Sequence, residues 1–245
     1  MTRTDEVWKK AEVSRNFIEG VRGAIPLASE QIEIMLRIIQ QAQPQVENFL
    51  DLGCGDGILG RAIHTQYPAA KGVFLDFSET MIQSAQSQDY PCPENLNFLT
   101  EDFSNSAWIN AIKNQTPFDI IVSGFSIHHQ PDTRKKELYQ EIYYLLKPGG
   151  LFLNLEHVAS PNQWVEKLFD ELFIDALYAF HKSQGTNKTR KEIDQQYYNR
   201  DDKTANILAP VQLQCDWLRE LGFINVDCFF KVFEIALFGG MRPDQ

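Results

Sequence analysis

The sequence predicts an α/β fold: a doubly wound, mostly parallel sheet with helices on both faces, ending in an antiparallel hairpin. Three observations predict it. Between residues 46 and 155, short runs rich in Val, Ile, Leu and Phe alternate with amphipathic helical segments. A glycine-rich turn joins the first of these runs directly to a helix, and two strand-like runs with almost no linker close the chain.

Two helices come first, at residues 5–15 and 27–43, the second ended by Pro44. Strand 1 is predicted at 46–52 (VENFLDL), strand 2 at 72–75 (GVFL) and strand 3 at 96–100 (LNFLT), with strands 4 and 5 at 118–122 (FDIIV) and 151–155 (LFLNL). Helical spacing fills the gaps: Ile58, Ala62 and Ile63 follow strand 1, and Leu138, Ile142, Leu145 and Leu146 precede strand 5. The run Lys147-Pro148-Gly149-Gly150 stops that last helix, because Pro and Gly cannot continue it. Residues 161–200 read as a long helical stretch, and a further helix at 210–221 stops at Gly222. The runs 223–230 (FINVDCFF) and 231–238 (KVFEIALF) form the hairpin. No Gly/Ser/Pro linker divides the chain, so a single domain over 1–245 is expected. Within it, 1–43 holds the amino-terminal helices and a lid, and 157–210 a helical insertion.

With 43% hydrophobic and 23% charged residues, the 245-residue chain is globular in composition, and a fold of this size buries about 70–75% of its unfolded surface. The formal charge of −10 repels phosphate backbones, so general nucleic-acid binding is not expected. Cys54, Cys92, Cys215 and Cys228 show no CxxC or Cys/His clustering, so neither a metal site nor a disulfide frame is predicted. The amino terminus MTRTDEVWKK lacks a signal-like apolar stretch, and no apolar run approaches the roughly 20 residues of a membrane span. A cytoplasmic protein is the expectation.

The most informative stretch is 49–60, FLDLGCGDGILG. An apolar strand runs into Gly53, Gly55 and Gly57, and a helix starts at once, so backbone N–H groups gather where no side chain crowds a ligand. Two frames are open. Gly55, Gly57 and Gly60 match the GxGxxG of dinucleotide binders, whereas Asp51 with Gly53, Gly55 and Gly57 places a carboxylate at the strand end, favouring a cationic ligand over a pyrophosphate; the strand is expected to end at Leu52 or Gly53, which fits the second frame better. Asp76, at the end of strand 2, suits the two hydroxyls of a ribose or the cap of the helix near Ser78. After strand 3, Asp102 suits an exocyclic amino group and Phe103 the face of a base; a polar helix start is the alternative. All three signals fall at the carboxyl ends of successive strands, the edge where open α/β sheets bind ligands.

At this point the sequence resembles the class I S-adenosylmethionine-dependent methyltransferases, a Rossmann-like family. DLGCGDG, LDFSETMI, EDF and LLKPGG stand in the family's order and spacing. The resemblance spans residues 46–156, and 223–240 more weakly. It implies a seven-stranded sheet with one antiparallel strand and S-adenosyl-L-methionine as cofactor, leaving as S-adenosyl-L-homocysteine. The glycine loop would lie under the methionine part, Asp76 on the ribose and Asp102 on the adenine. Phe77 and Met81 of LDFSETMI, Phe103, the Ser123 backbone and Arg22 of the lid complete the implied cofactor contacts. Methyl transfer is an in-line displacement at an activated carbon, so positioning supplies most of the acceleration and no metal is required. A base helps where the acceptor is protonated; His128 or His129 has the pKa for it, and His128 is the expected catalytic residue. Cofactor-pocket wall is the other reading of the pair. Cys54 is expected to pack as a small apolar residue.

Two regions outside the core pattern are placed to build an acceptor pocket. Residues 17–26 (FIEGVRGAIP) break into a lid carrying Arg22. In the insertion, Trp164, Leu168, Leu172, Ala176 and Phe180 run beside Val165, Phe169, Phe173 and Leu177, a broad apolar face. That face packs on the sheet, covers the site or joins two subunits as a homodimer. Lys188, Arg190 and Lys191 read as a solvated helix start. RGAIP and the insertion resemble a small-molecule subgroup that includes carboxy-S-adenosylmethionine synthases, which hold a carboxylate with an Arg in the helix before the hairpin; 210–218 (PVQLQCDWL) has none. The predicted activity is therefore methyl transfer to an oxygen or nitrogen of a small, partly apolar acceptor. A nicotinamide-dependent oxidoreductase, a carboxy-S-adenosylmethionine synthase-like enzyme and a non-catalytic cofactor-binding module are the alternatives.

Overall fold

A computed structural model describes residues 3–244, apart from the side chains of Arg22 and Asp201. Its strands are β1 (Asn48–Leu52), β2 (Lys71–Asp76), β3 (Leu96–Thr100), β4 (Phe118–Gly124), β5 (Leu146–His157), β6 (Ile224–Val232) and β7 (Ile235–Met241). They form one sheet in the order β3-β2-β1-β4-β5-β7-β6. Neighbours from β3 to β5 pair in parallel, and β7 runs antiparallel to both β5 and β6. The α/β class and the closing hairpin are as the sequence predicts.

Nearly every residue of β1, β2 and β4 is buried, because helices cover both faces. Alternation splits the apolar side chains between two cores. Phe49, Phe74, Val122 and Leu153 face one side, with α2 (Ala28–Ala42), α3 (Ile58–Gln66) and α7 (Gln163–Ser183). Leu50, Leu75, Ile121 and Phe152 face the other, with α5 (Ile109–Ile112), α6 (Asp132–Leu145) and α9 (Val211–Glu220). The remaining helices are α1 (Ala11–Asn16), α4 (Glu79–Gln86) and α8 (Arg190–Tyr198).

Three boundaries depart from the sequence reading. β5 begins at Leu146 and not at 151, because Leu146 already pairs with Phe118 and the Pro-Gly-Gly stretch is absorbed as an irregularity in the register. The first predicted helix divides into a 3-10 turn (Thr4–Lys9) and α1, since Lys10 is extended at ψ 119°. The long helix of the insertion is two helices. Asn162 caps α7 by accepting the N–H groups of Trp164 and Val165, and Thr189 and Glu192 form a capping box that starts α8. Arg190, read as solvated, reaches back to Asp175 and Glu171 on α7. On α7, Phe169, Phe173 and Leu177 are buried, while Trp164 stays 70% exposed.

Candidate functional site

The crossover direction changes between β1 and β4, which opens a crevice at the carboxyl edge of the sheet. Here β1 ends at Leu52 and the Gly53 and Cys54 N–H groups bond the Leu75 carbonyl at 2.7 and 2.9 Å, so Gly53, not Gly55, is the first glycine of the turn. That geometry favours the acidic frame over the dinucleotide one. Gly53, Gly55 and Gly57 have φ of 68°, 55° and 81°. A Cβ on Gly53 would lie 1.9 Å from Ser126 Oγ, whereas one on Gly55 would meet nothing closer than Met81 Sδ at 4.0 Å. The first glycine permits close packing; the second leaves open space for a ligand. Asp51 is buried, with Oδ2 accepting the Gly60 N–H at 2.7 Å. Cys54 is buried, and burial raises its thiol well above the usual range, as expected of a packing residue.

Asp76 links the start of α4 to the glycine loop. Oδ1 accepts the N–H of Ser78, the residue capping α4, at 2.8 Å, while Oδ2 accepts the Gly55 N–H at 2.9 Å. The carboxylate thus ties the end of β2 to the glycine loop. Burial pushes its carboxyl up to about 6, against the lowering effect of those amides. Phe77 and Met81 line the same cavity, and the Arg3 and Lys9 cations stand 5.9 and 5.5 Å from the Phe77 ring centre.

Three expected cofactor residues do not line the cavity. Asp102 is at the same sheet edge as Asp76 but takes Arg3 in a two-point pair, at 2.5 and 3.2 Å, together with the Ser104 N–H at 2.9 Å. Burial opposes its ionisation, and the Arg3 and Ser104 bonds override that to lower its pKa. Phe103 is buried in the core, and its carbonyl accepts Arg134 Nε at 2.9 Å. Ser123 is fully buried and its hydroxyl donates to the Leu52 carbonyl at 2.7 Å; Gly124, Phe125 and Ser126 form the wall instead. The Arg22 side chain lies outside the described residues.

The cavity, about 400 Å³, runs from Asp51, Gly55 and Asp76 to His128. His128 sits on the 3-10 turn Ile127–His129, where its N–H donates to Glu156 Oε2 at 3.0 Å and its ring Nδ1 meets Oε1 at 2.5 Å. With Glu156 ionised, the ring proton sits on Nδ1 and Nε2 keeps its lone pair. Burial, with the charges of His157 and Lys135, holds the His128 pKa well below the ordinary value. Burial pushes Glu156 up to about 7 and lowers His129 to about 3. Beyond the imidazoles the walls are apolar and aromatic, with Phe17 and Ile25 from the amino-terminal segment and Phe169, Phe173 and Tyr197 from the insertion. Arg200 and Asn206 bring polar groups to this end, Arg200 stacking on Tyr197 at 4.5 Å. Sequence reasoning missed Glu156, His157 and Arg200. Glu156 and His157, polar residues closing the apolar run of β5, were the available signal.

Residues able to hold a nucleoside cofactor therefore share a wall with a carboxylate-held imidazole. Among the described residues no three His, Cys, Asp or Glu side chains are grouped to hold a metal ion, and no helix is long and apolar enough to cross a membrane.

This fold and glycine loop point to a class: residues 49–150 match a family described as "Methyltransferase domain", and the chain resembles the S-adenosylmethionine-dependent methyltransferases. The family's cofactor is S-adenosylmethionine, released as S-adenosylhomocysteine. Among particular relatives, the chain is 33% identical over 146 residues to malonyl-[acyl-carrier protein] O-methyltransferase 2 of Ilyobacter polytropus; the match covers 59% of this chain and 53% of that protein, about half its length. It is 24% identical over 234 residues to the carboxy-S-adenosyl-L-methionine synthase of a Nitratiruptor species, covering 94% and 91%. In fold it is similar to the plantazolicin methyltransferase BpumL in complex with SAH, with a TM-score of 0.62, 14% identity and coverage of 99% and 95%.

Proposed function

We propose that this chain transfers a methyl group from S-adenosylmethionine to an oxygen or nitrogen of a small, partly apolar acceptor, with His128 as the general base. The observation that carries the reading is the 2.5 Å contact of His128 Nδ1 with the buried Glu156, on the wall of the cavity that also holds Asp76 and Gly55. When bound, the cofactor supplies a methyl carbon activated by positive sulfur. Asp51 would put negative charge on the wall that receives that cation, Asp76 would accept from the ribose hydroxyls, and the open space at Gly55 would admit the methionine part. Glu156 fixes the His128 tautomer and would stabilise the imidazolium formed as the acceptor loses its proton. The apolar walls exclude water from the acceptor end.

Isothermal titration with S-adenosylhomocysteine tests the cofactor half: single-site binding is expected, and no heat at millimolar ligand would overturn it. Labelled methyl transfer to candidate acceptors, with His128→Gln as control, tests the base. A second reading, a carboxy-S-adenosylmethionine synthase-like activity, draws support from the near full-length similarity to such synthases and from Arg200. In this reading Arg200, on the cavity wall, would take the part of the carboxylate-binding cation sought in the helix before the hairpin. Mass spectrometry separates the two, since the synthase chemistry adds a carboxylate to the cofactor and yields no methylated acceptor.

A further inference from the structure

Lys135 lies outside the cavity wall, and the chemistry above makes no use of it. It is on the first turn of α6 and fully buried. Its ammonium donates to Asp132 Oδ1 at 2.8 Å and to the Ile207 carbonyl. The Ile207 N–H in turn donates to the His128 carbonyl at 2.9 Å. Ile207 is therefore gripped on both sides, by the buried cation and by the turn that carries the imidazole. Two residues earlier, the Ala205 carbonyl accepts His129 Nδ1 at 3.1 Å. Between these anchors stands Asn206, which lines the cavity together with His128. Removing an ammonium from water is unfavourable unless strong acceptors meet it, and a methionine would fill the same space without that cost. The placement therefore points to what the ammonium holds.

We propose that Lys135 is a positioning residue for His128: by fastening Ile207 it keeps residues 205–207 against the turn that carries the imidazole and Asn206 on the cavity wall. The proposal rests on the reading of His128 as the base. The groups that bear on the imidazole come from every neighbouring element: Glu156 and His157 on β5, His129 on its own turn, Lys135 with Asp132 on α6, and Arg200 beyond α8. Lys135, His157 and Arg200 all oppose its protonation.

The test uses the full chain carrying Lys135→Met, with Lys135→Gln as a second variant should the first not fold, and Lys135→Arg as the conservative rescue. Amide hydrogen exchange at Ile207 should accelerate about tenfold or more while core strand amides keep their protection. The His128 ring titration, followed by NMR, should move up, and S-adenosylhomocysteine affinity should stay within about twofold because the cofactor end is built by other segments. Lys135→Arg should restore Ile207 protection. Parent-like exchange at Ile207 with an unmoved titration would overturn the proposal, as would a general loss of core protection and cofactor binding, which marks a purely structural support. A parent-like turnover in His128→Gln would remove the base reading alone, since Ile207 exchange reports the fastening independently.

Discussion

Replacing Asp76 with alanine removes the one carboxylate that ties β2 to the glycine loop. In the parent protein its oxygens accept from Ser78 and Gly55 at 2.8 and 2.9 Å, so each retains lone pairs for a ligand hydroxyl. A hydrogen bond to a charged group contributes about 1.5–3 kcal/mol, so losing one net ribose contact weakens binding by about ten- to a hundredfold or slightly more. Release of the Gly55 N–H adds to the loss. Titration calorimetry with S-adenosylhomocysteine at pH 8 measures it, with circular dichroism to establish that the variant is folded. A second signature is available because burial raises the Asp76 carboxyl to about 6. Only the ionised form accepts from both amides and a ribose, so parent affinity should fall as pH drops through about 6, and Asp76→Ala should lose that dependence. A folded Asp76→Ala chain whose affinity is within about twofold of the parent at pH 8 would refute the ribose assignment and the reasoning from these two bonds.

His128→Gln and Glu156→Gln should each lower turnover by about a hundredfold or more, the scale of general-base catalysis, with S-adenosylhomocysteine affinity unchanged by calorimetry; equal losses in both quantities would make His128 pocket wall. Because burial depresses His128 but raises Glu156 to about 7, and Glu156 must be ionised to stabilise the imidazolium, the acid limb of kcat should follow Glu156 and lie near 7; a profile that stays flat down to about pH 5 would contradict the paired site. Gly53→Ala places a Cβ 1.9 Å from Ser126 Oγ at a φ of 68° and should cost about 1–3 kcal/mol in urea unfolding while abolishing cofactor binding. Phe173→Ala, in the buried row of α7, should cost about 3–5 kcal/mol by the same measurement, whereas Trp164→Ala, 70% exposed, should stay within about 0.5 kcal/mol. Similar losses in the two would contradict the helix's assigned orientation.

Much of the fold was legible because its signals are local. An apolar run long enough for one strand, followed by Gly53, Gly55 and Gly57, has few conformations other than a turn into a helix. The acidic frame could be preferred from where the strand must end, and Leu52 is where it ends. The site was legible only in part. Asp76 interacts with neighbours set by its own strand end, so both readings of it could be stated in advance. The position of Ser123 on β4 was readable, yet its hydroxyl turns to Leu52, a residue 71 positions away. Asp102 meets Arg3 across 99 positions, and nothing in either segment announces the other.

What the sequence determined by itself was the order of strands and helices, the glycine turn and the resemblance to the S-adenosylmethionine-dependent methyltransferases, because periodicity, glycine conformation and strand-end carboxylates act within a few residues of one another. What only the tertiary structure decided was which side chains share the cavity. Glu156 reaches His128 across 28 positions, and Lys135 holds Ile207 across 72, because β5, α6 and the segment after α8 converge there. Hydrogen bonds between buried groups depend on distances of a few tenths of an ångström, which the packing of whole helices on the sheet sets.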